Sequence, residues 1–180
     1  MSLMKRIRAY HAALAVLALL AFLTGDFGLV HSWLGYGVAA IIVLRLLWAL
    51  ADRKHVGLSR FYPEFAGLRF ANALQHPAIS KTLILAVAIT LLGATATGVA
   101  IDGGKAIGMA DVTLVAPAHG DDGGRERSRS GGGMAHELLE ELHESLSNLF
   151  LFAVLLHASY LILFRRPLAL FMLFRDVRRR

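Results

Sequence analysis

Residues 136–164 read HELLEELHESLSNLFLFAVLLHASYLILF. The uninterrupted apolar part, Leu149 to Phe164, covers 16 residues. An α-helix needs about 20 to cross a hydrocarbon core of ~30 Å at ~1.5 Å per residue. A spanning helix must therefore begin upstream, near residue 141, and carry His143 to Asn148 to the bilayer. His143 and His157 then share one membrane helix. They stand 14 residues apart, a rise of ~21 Å with a phase difference of only ~40°. Two imidazoles thus face one side of a single helix at two depths.

Three more apolar runs precede this one: Ala9 to Gly25, Trp33 to Ala51 and Ile79 to Ile101. With 56% hydrophobic residues and a mean hydropathy of +0.57, the composition is that of a membrane protein. The expected fold is all-α: an integral membrane four-helix bundle, up-down-up-down, forming one domain over residues 1–180. Its spans are expected at about 9–26, 31–51, 79–101 and 141–164. Lys5, Arg6 and Arg8 before a short apolar stretch resemble a secretory leader. No small-x-small cleavage site follows, however, and His11 interrupts the run, so the segment reads as a retained helix.

Charge gives the orientation. If both termini are cytoplasmic, fourteen of the 19 lysines and arginines lie inside and four outside, with Arg45 inside the second span. That split obeys the positive-inside rule. Anionic lipid headgroups then account for the net charge of +6 better than nucleic acid does, since no polar domain is present to bind one. Cysteine is absent, which excludes disulfides, thiolate-held iron–sulfur clusters and thioether-attached haem. The link 52–78 is polar and broken by Pro63 and Pro77. The periplasmic loop 102–136 is long, and its centre, Gly120 to Gly133, is expected to be disordered.

An ionisable group inside a span is costly and marks function by default, and neutral imidazole is the commonest metal ligand. His11 lies near the inner end of the first span and His31 at the outer end of the second. By depth, His11 pairs with His157 inside and His31 with His143 outside. Four histidines in two layers on facing helices are how a bundle builds two axially ligated metal centres. With bis-imidazole ligation of haem iron, both axial positions are closed and the centre is an electron carrier. Taken singly, His11 and His31 read equally well as interfacial residues. Gly35, Gly37, Ala153 and Ala158 either admit a flat macrocycle or pack helices. Zinc does not suit layers so far apart. His55, His76, His119 and His136 read as solvated, with His76 before Pro77 the strongest candidate for a role. Arg45, 14 residues after His31, returns to the same face at the inner level. It either meets a haem propionate or a quinone, or snorkels to the interface. Tyr36 and Trp48 fit an aromatic belt. Glu137, Glu140, Glu141 and Glu144 form either a solvated helix face or a docking surface for a basic electron carrier.

The stretches RAYHAALAVLALLAFLTG (8–25), HSWLGYGVAAIIVLRLLW (31–48), QHPAISKTLILAVAITLLGATATG (75–98) and ELHESLSNLFLFAVLLHASYL (141–161) resemble the bacterial cytochrome b561 family. That family shares a superfamily with the b-type cytochrome subunits of nickel hydrogenases. The resemblance covers nearly the whole chain and is most specific in the fourth span. It implies two haems b with His11, His31, His143 and His157 as axial ligands, and electron exchange with membrane quinone in the bacterial inner membrane. The chain departs from the family in its longer outer loop, in the HPAIS opening of the third span and in its arginine-rich tail.

The implied function is a di-haem cytochrome carrying electrons across the membrane between the quinone pool and a periplasmic partner such as a c-type cytochrome. The alternatives are a superoxide:quinone oxidoreductase acting alone, the cytochrome b subunit of a larger periplasmic dehydrogenase or hydrogenase, and a cofactor-free membrane protein. The last requires a preparation without a haem Soret band.

Overall fold

The computed structural model describes residues 3–51, 62–63, 76–109 and 125–172, with side chains from residue 4 and, in the last segment, from residue 133. Its elements are α1 (Leu3–Leu23), α2 (Leu29–Ala51), α3 (Pro77–Asp102), α4 (Arg125–Phe164) and α5 (Arg166–Met172), with short 3-10 turns at Gly25–Phe27 and Lys105–Ile107. Among the described residues there are no strands. Four helices are long and apolar enough to cross a membrane: Met4–Leu23, Leu29–Ala51, Pro77–Asp102 and Gly133–Phe164.

Local chemistry sets the helix ends. Thr24 closes α1 by donating its hydroxyl to Leu20 O at 2.7 Å, and Gly28 turns the chain at φ +47°, a conformation that favours glycine. Pro77 opens α3, where its missing N–H costs nothing, and His76 caps that end by accepting from Ala78 N at 3.2 Å. Gly103, at φ +60°, ends α3 with its N–H on Val99 O at 3.0 Å, a left-handed cap. Pro167 cannot continue α4, because it lacks the donor and clashes one turn back. It stands instead near the start of α5.

Two outcomes differ from the sequence reading. First, α4 begins at Arg125, so residues 125–133 are helical where disorder was expected. A helix already nucleated in the Leu- and Glu-rich stretch 137–142 extends without a new nucleation cost, even through glycines at about 1 kcal/mol each. The rest of that stretch, 120–124, lies outside the described residues, as do most of the 52–75 link and residues 173–180. Second, α5 was not expected. Arg8 of α1 donates to Phe171 O of α5 at 3.0 Å, and its guanidinium lies 4.8 Å from the Phe171 ring centre. The contact places the start of α1 and the end of the described chain at the same end of the bundle.

The packing is uneven. α4 packs chiefly on α3, α1 on α2, and α2 on α3, while α4 has at most marginal backbone contact with α1 and α2. Small residues bring α3 and α4 together: a Cβ on Gly93 would stand 3.0 Å from Leu146 Cδ1, the small-residue logic of membrane interfaces. The opposite side of α4 faces a crevice. Ala18 of α1, Val38 of α2 and Phe150 of α4 meet there as a buried cluster. Many large apolar side chains, such as Val16, Leu47, Ile89 and Phe152, are exposed on the protein surface. In water this would drive aggregation, whereas lipid solvates it.

Candidate functional site

A cleft lined by residues of all four spans holds His31 and His143. At the loop end, His31 of α2 and His143 of α4 face each other with ring centres 5.9 Å apart and planes at 78°. Two imidazole nitrogens bound to one metal at ~2 Å each, with ring centres about 1 Å further back, give a separation of roughly 6 Å. The observed spacing therefore suits two ligands on opposite sides of one ion.

Hydrogen bonds orient both rings. His31 Nδ1 donates to Ala21 O of α1 at 2.9 Å. His143 Nδ1 donates to Ala94 O of α3 at 2.9 Å and stands 3.1 Å from Thr97 Oγ1. The Thr97 hydroxyl itself donates back to Gly93 O or Ala94 O at 3.0 Å, leaving its lone pairs for His143. A carbonyl can only accept, so each Nδ1 carries the proton and each Nε2 keeps a lone pair for a metal. This is the outer-sphere arrangement found around metal-bound imidazoles. Gly98 makes room for it, because a Cβ there would lie 2.9 Å from His143 Cε1.

The cleft beside the two rings has a volume of about 90 Å³, with Ala21, Gly35, Ala94 and Gly98 among its small lining residues. Tyr36 and Asp102 stand at its rim. The Tyr36 hydroxyl donates to Asp102 Oδ2 at 2.9 Å, and Ala106 N donates to the same oxygen at 3.1 Å. Tyr36 thus ties α2 to α3, beyond the belt role expected of it.

At the other end His157 is half-buried and His11 exposed, and His11 lies near His157. His157 Nδ1 is buried with no hydrogen-bond partner. A buried polar atom left alone is costly, and an orphaned imidazole nitrogen suits a site completed by a bound group. Arg45 lies near Tyr10, the neighbour of His11 in sequence, and its guanidinium is 5.8 Å from the Trp48 ring centre. Tyr10 and Trp48 themselves pack at 5.6 Å. Phe150 stands seven residues from each α4 histidine, about two turns, so the buried cluster separates the layers.

The structure therefore brings together both pairs read from the sequence. Among the described residues, no group of three or more His, Cys, Asp or Glu side chains gathers to hold an ion. Each layer offers two imidazoles, and the remaining donors must come from a ligand, as they do in a porphyrin. The residues around His31 and His143 fit a haem: two imidazoles at axial spacing and small residues along the cleft. Of the small residues expected to help, Gly35 lines the cleft, a Cβ on Gly37 would stand 3.6 Å from Leu17 Cδ1 and Ala153 is buried, while Ala158 is exposed. Gly93, Thr97 and Gly98 were missed. Their signal is the GATATG run at 93–98, whose small residues recur on one α3 face. His136 pairs with Glu140 at 3.3 Å on the exposed surface. His55 and His119 lie outside the described residues.

A family model described as prokaryotic cytochrome b561 matches residues 4–174. No curated protein and no solved structure matches the chain.

Proposed function

The chain belongs to the prokaryotic cytochrome b561 family, and from that premise we propose that it holds two haems b, one between each histidine pair. Membership itself carries b-type haem, electron transfer and a multi-pass place in the bacterial inner membrane. The number of haems, their ligands and the redox partners are our reading. The observation that carries it is the facing of His31 and His143 at 5.9 Å with both Nδ1 protons held on main-chain carbonyls.

In this reading His31 and His143 would hold one haem, and His11 and His157 the other. Bound haem supplies reversible one-electron chemistry. The protein does the rest. Ala21 and Ala94 carbonyls hold two rings in one tautomer, Gly98 gives His143 its place, and the Ala18–Val38–Phe150 cluster keeps water from between the layers. Held by two imidazoles, each haem would serve as an electron carrier. Arg45 would meet a propionate or a quinone carbonyl at the terminal end.

The partners follow from the two ends. Quinone approaches through lipid. Glu137, Glu140, Glu141 and Glu144 are all exposed on the part of α4 around and beyond His143, a surface suited to a basic periplasmic carrier such as a c-type cytochrome. In this reading both termini lie in the cytoplasm, in line with the basic residues.

Sealed lipid vesicles test the electron path. They enclose an impermeant ferricyanide oxidant and receive quinol from outside. Vesicles bearing the protein are expected to bleach the enclosed oxidant, and vesicles bearing His31→Ala or His157→Ala are not. Equal bleaching with either variant would sink the two-centre path.

A further inference from the structure

α4 carries two seams, and among the described residues only one of them is covered. His143, Leu146, Phe150, Ala153, His157 and Tyr160 recur at alternating spacings of three and four, and all are buried or half-buried. His143 meets α3 at Ala94 and Thr97, Leu146 lies at Gly93, and Phe150 joins Ala18 and Val38. The residue before each of these six is exposed: Leu142, Ser145, Leu149, Phe152, Leu156 and Ser159. One residue earlier is ~100° round the helix, so this second set is a separate face. With Leu138 before it and Leu163 after it, the set keeps the same alternation unbroken over 26 residues, nearly four heptads. We propose that this second seam is the contact between two copies of this chain, paired α4 to α4, parallel and in register. The inference does not depend on the haems.

Lipid alone does not account for the seam. Counting ~20 residues back from Arg165 puts the outer edge of the hydrocarbon near Ser145. Leu138 and Leu142 lie beyond it, 55% and 44% exposed, among the exposed carboxylates of Glu137, Glu140, Glu141 and Glu144. Lipid chains do not reach them there, and burial against a partner is favourable. Inside the hydrocarbon the seam includes the exposed Ser159. Small hydroxyl residues within spans favour helix contacts, where they hydrogen-bond across the pair. Lipid imposes no period on the side chains it covers, whereas a sustained seven-residue repeat is the pattern of a helix partner.

The occupant must be a helix that runs beside α4 from water into lipid on the same period. A second α4 meets each requirement. Copies inserted alike stand parallel in one bilayer, so their heptads align at the same depth. A two-fold axis then makes the seam complementary to itself. The charges agree. With Leu142 at position a and Ser145 at d, Glu137 and Glu144 fall at c, Glu140 at f and Glu141 at g. A g residue faces the next e residue of the partner helix, which here is Leu146, so no carboxylate opposes its own copy. The acidic face points away from the pair.

The chain has no cysteine, so disulfide trapping in the membrane tests the pairing directly. Mild oxidation of Leu138→Cys and of Ser145→Cys is expected to give a linked dimer, because like positions face each other across the axis. Glu140→Cys and Glu144→Cys, at similar depth on the opposite face, are expected to stay unlinked. In mild detergent the unmodified protein is expected to show a protein mass twice the 19.6 kDa of one chain. Leu138→Glu is expected to halve that mass with haem per chain unchanged, which separates loss of pairing from loss of folding. If Leu138→Glu fails to accumulate, the linking pattern decides alone. Equal linking on both faces would overturn the proposal, as would a dimer that Leu138→Glu leaves intact. No linking at the seam together with a single-chain mass would also overturn it, and would assign the cover to another protein or to another part of the same chain.

Discussion

The ring of His143 rests where a side chain on residue 98 would have to be. A methyl group at Gly98 would stand 2.9 Å from His143 Cε1, closer than real contacts allow, so Gly98→Ala must displace the ring or part α3 from α4. Overpacking of this kind costs about 1–3 kcal/mol. Gly98→Ala is expected to lose much of the loop-end haem while the other remains, read as a fall of up to half in haem absorbance per chain. His157→Ala is expected to lose the other haem, again roughly half the absorbance, with the chain still inserted in the membrane. Full absorbance in both variants would contradict the ligand assignment. The histidines themselves were legible because an ionisable group within an apolar run is conspicuous and a 14-residue spacing fixes face and depth. Their supports were not. Thr97 and Gly98 act through contacts between α3 and α4, and no local pattern says which helix α4 packs against.

At the scale of elements, a side-chain hydrogen bond joins α2 to α3 at the loop end of the bundle. Tyr36 of α2 donates to Asp102 of α3 at 2.9 Å, and the same carboxylate holds the turn at Ala106. Tyr36→Phe removes a hydrogen bond to a charged group, worth about 1.5–3 kcal/mol. A lower melting temperature in detergent with unchanged haem content is expected; an unchanged melting temperature would show that the tie is idle. The spans were legible from apolar length, since lipid admits only helices whose backbone is satisfied internally. Their ends were less so. α4 runs back to Arg125 because a nucleated helix extends through residues of modest propensity, which composition alone reads as loop. α5 exists because Pro167 breaks α4 while Arg8 offers Phe171 a partner across the bundle, a contact between the two ends of the chain that sequence proximity does not reveal.

For the whole molecule, the packing explains why there is a site at all. α4 leans on α3 more than on α1 and α2, and His31 and His143 face each other in the cleft. A bundle of four apolar helices without a cofactor would gain by closing that space through van der Waals contact. The crevice therefore belongs with the imidazoles. Basic residues gather at the end that carries both termini, and reporter fusions to either terminus are expected to be active only in the cytoplasm. A periplasmic reporter signal would invert the molecule and swap the sides of its two layers. The central claim is that four histidines hold two haems. Its most direct measurement is haem b per chain, by pyridine haemochrome against amino-acid analysis, for the purified protein and its four single His→Ala variants. The expected result is two haems in the parent and about one in each of His11→Ala, His31→Ala, His143→Ala and His157→Ala. One haem in the parent, or two retained in any of these variants, would contradict it.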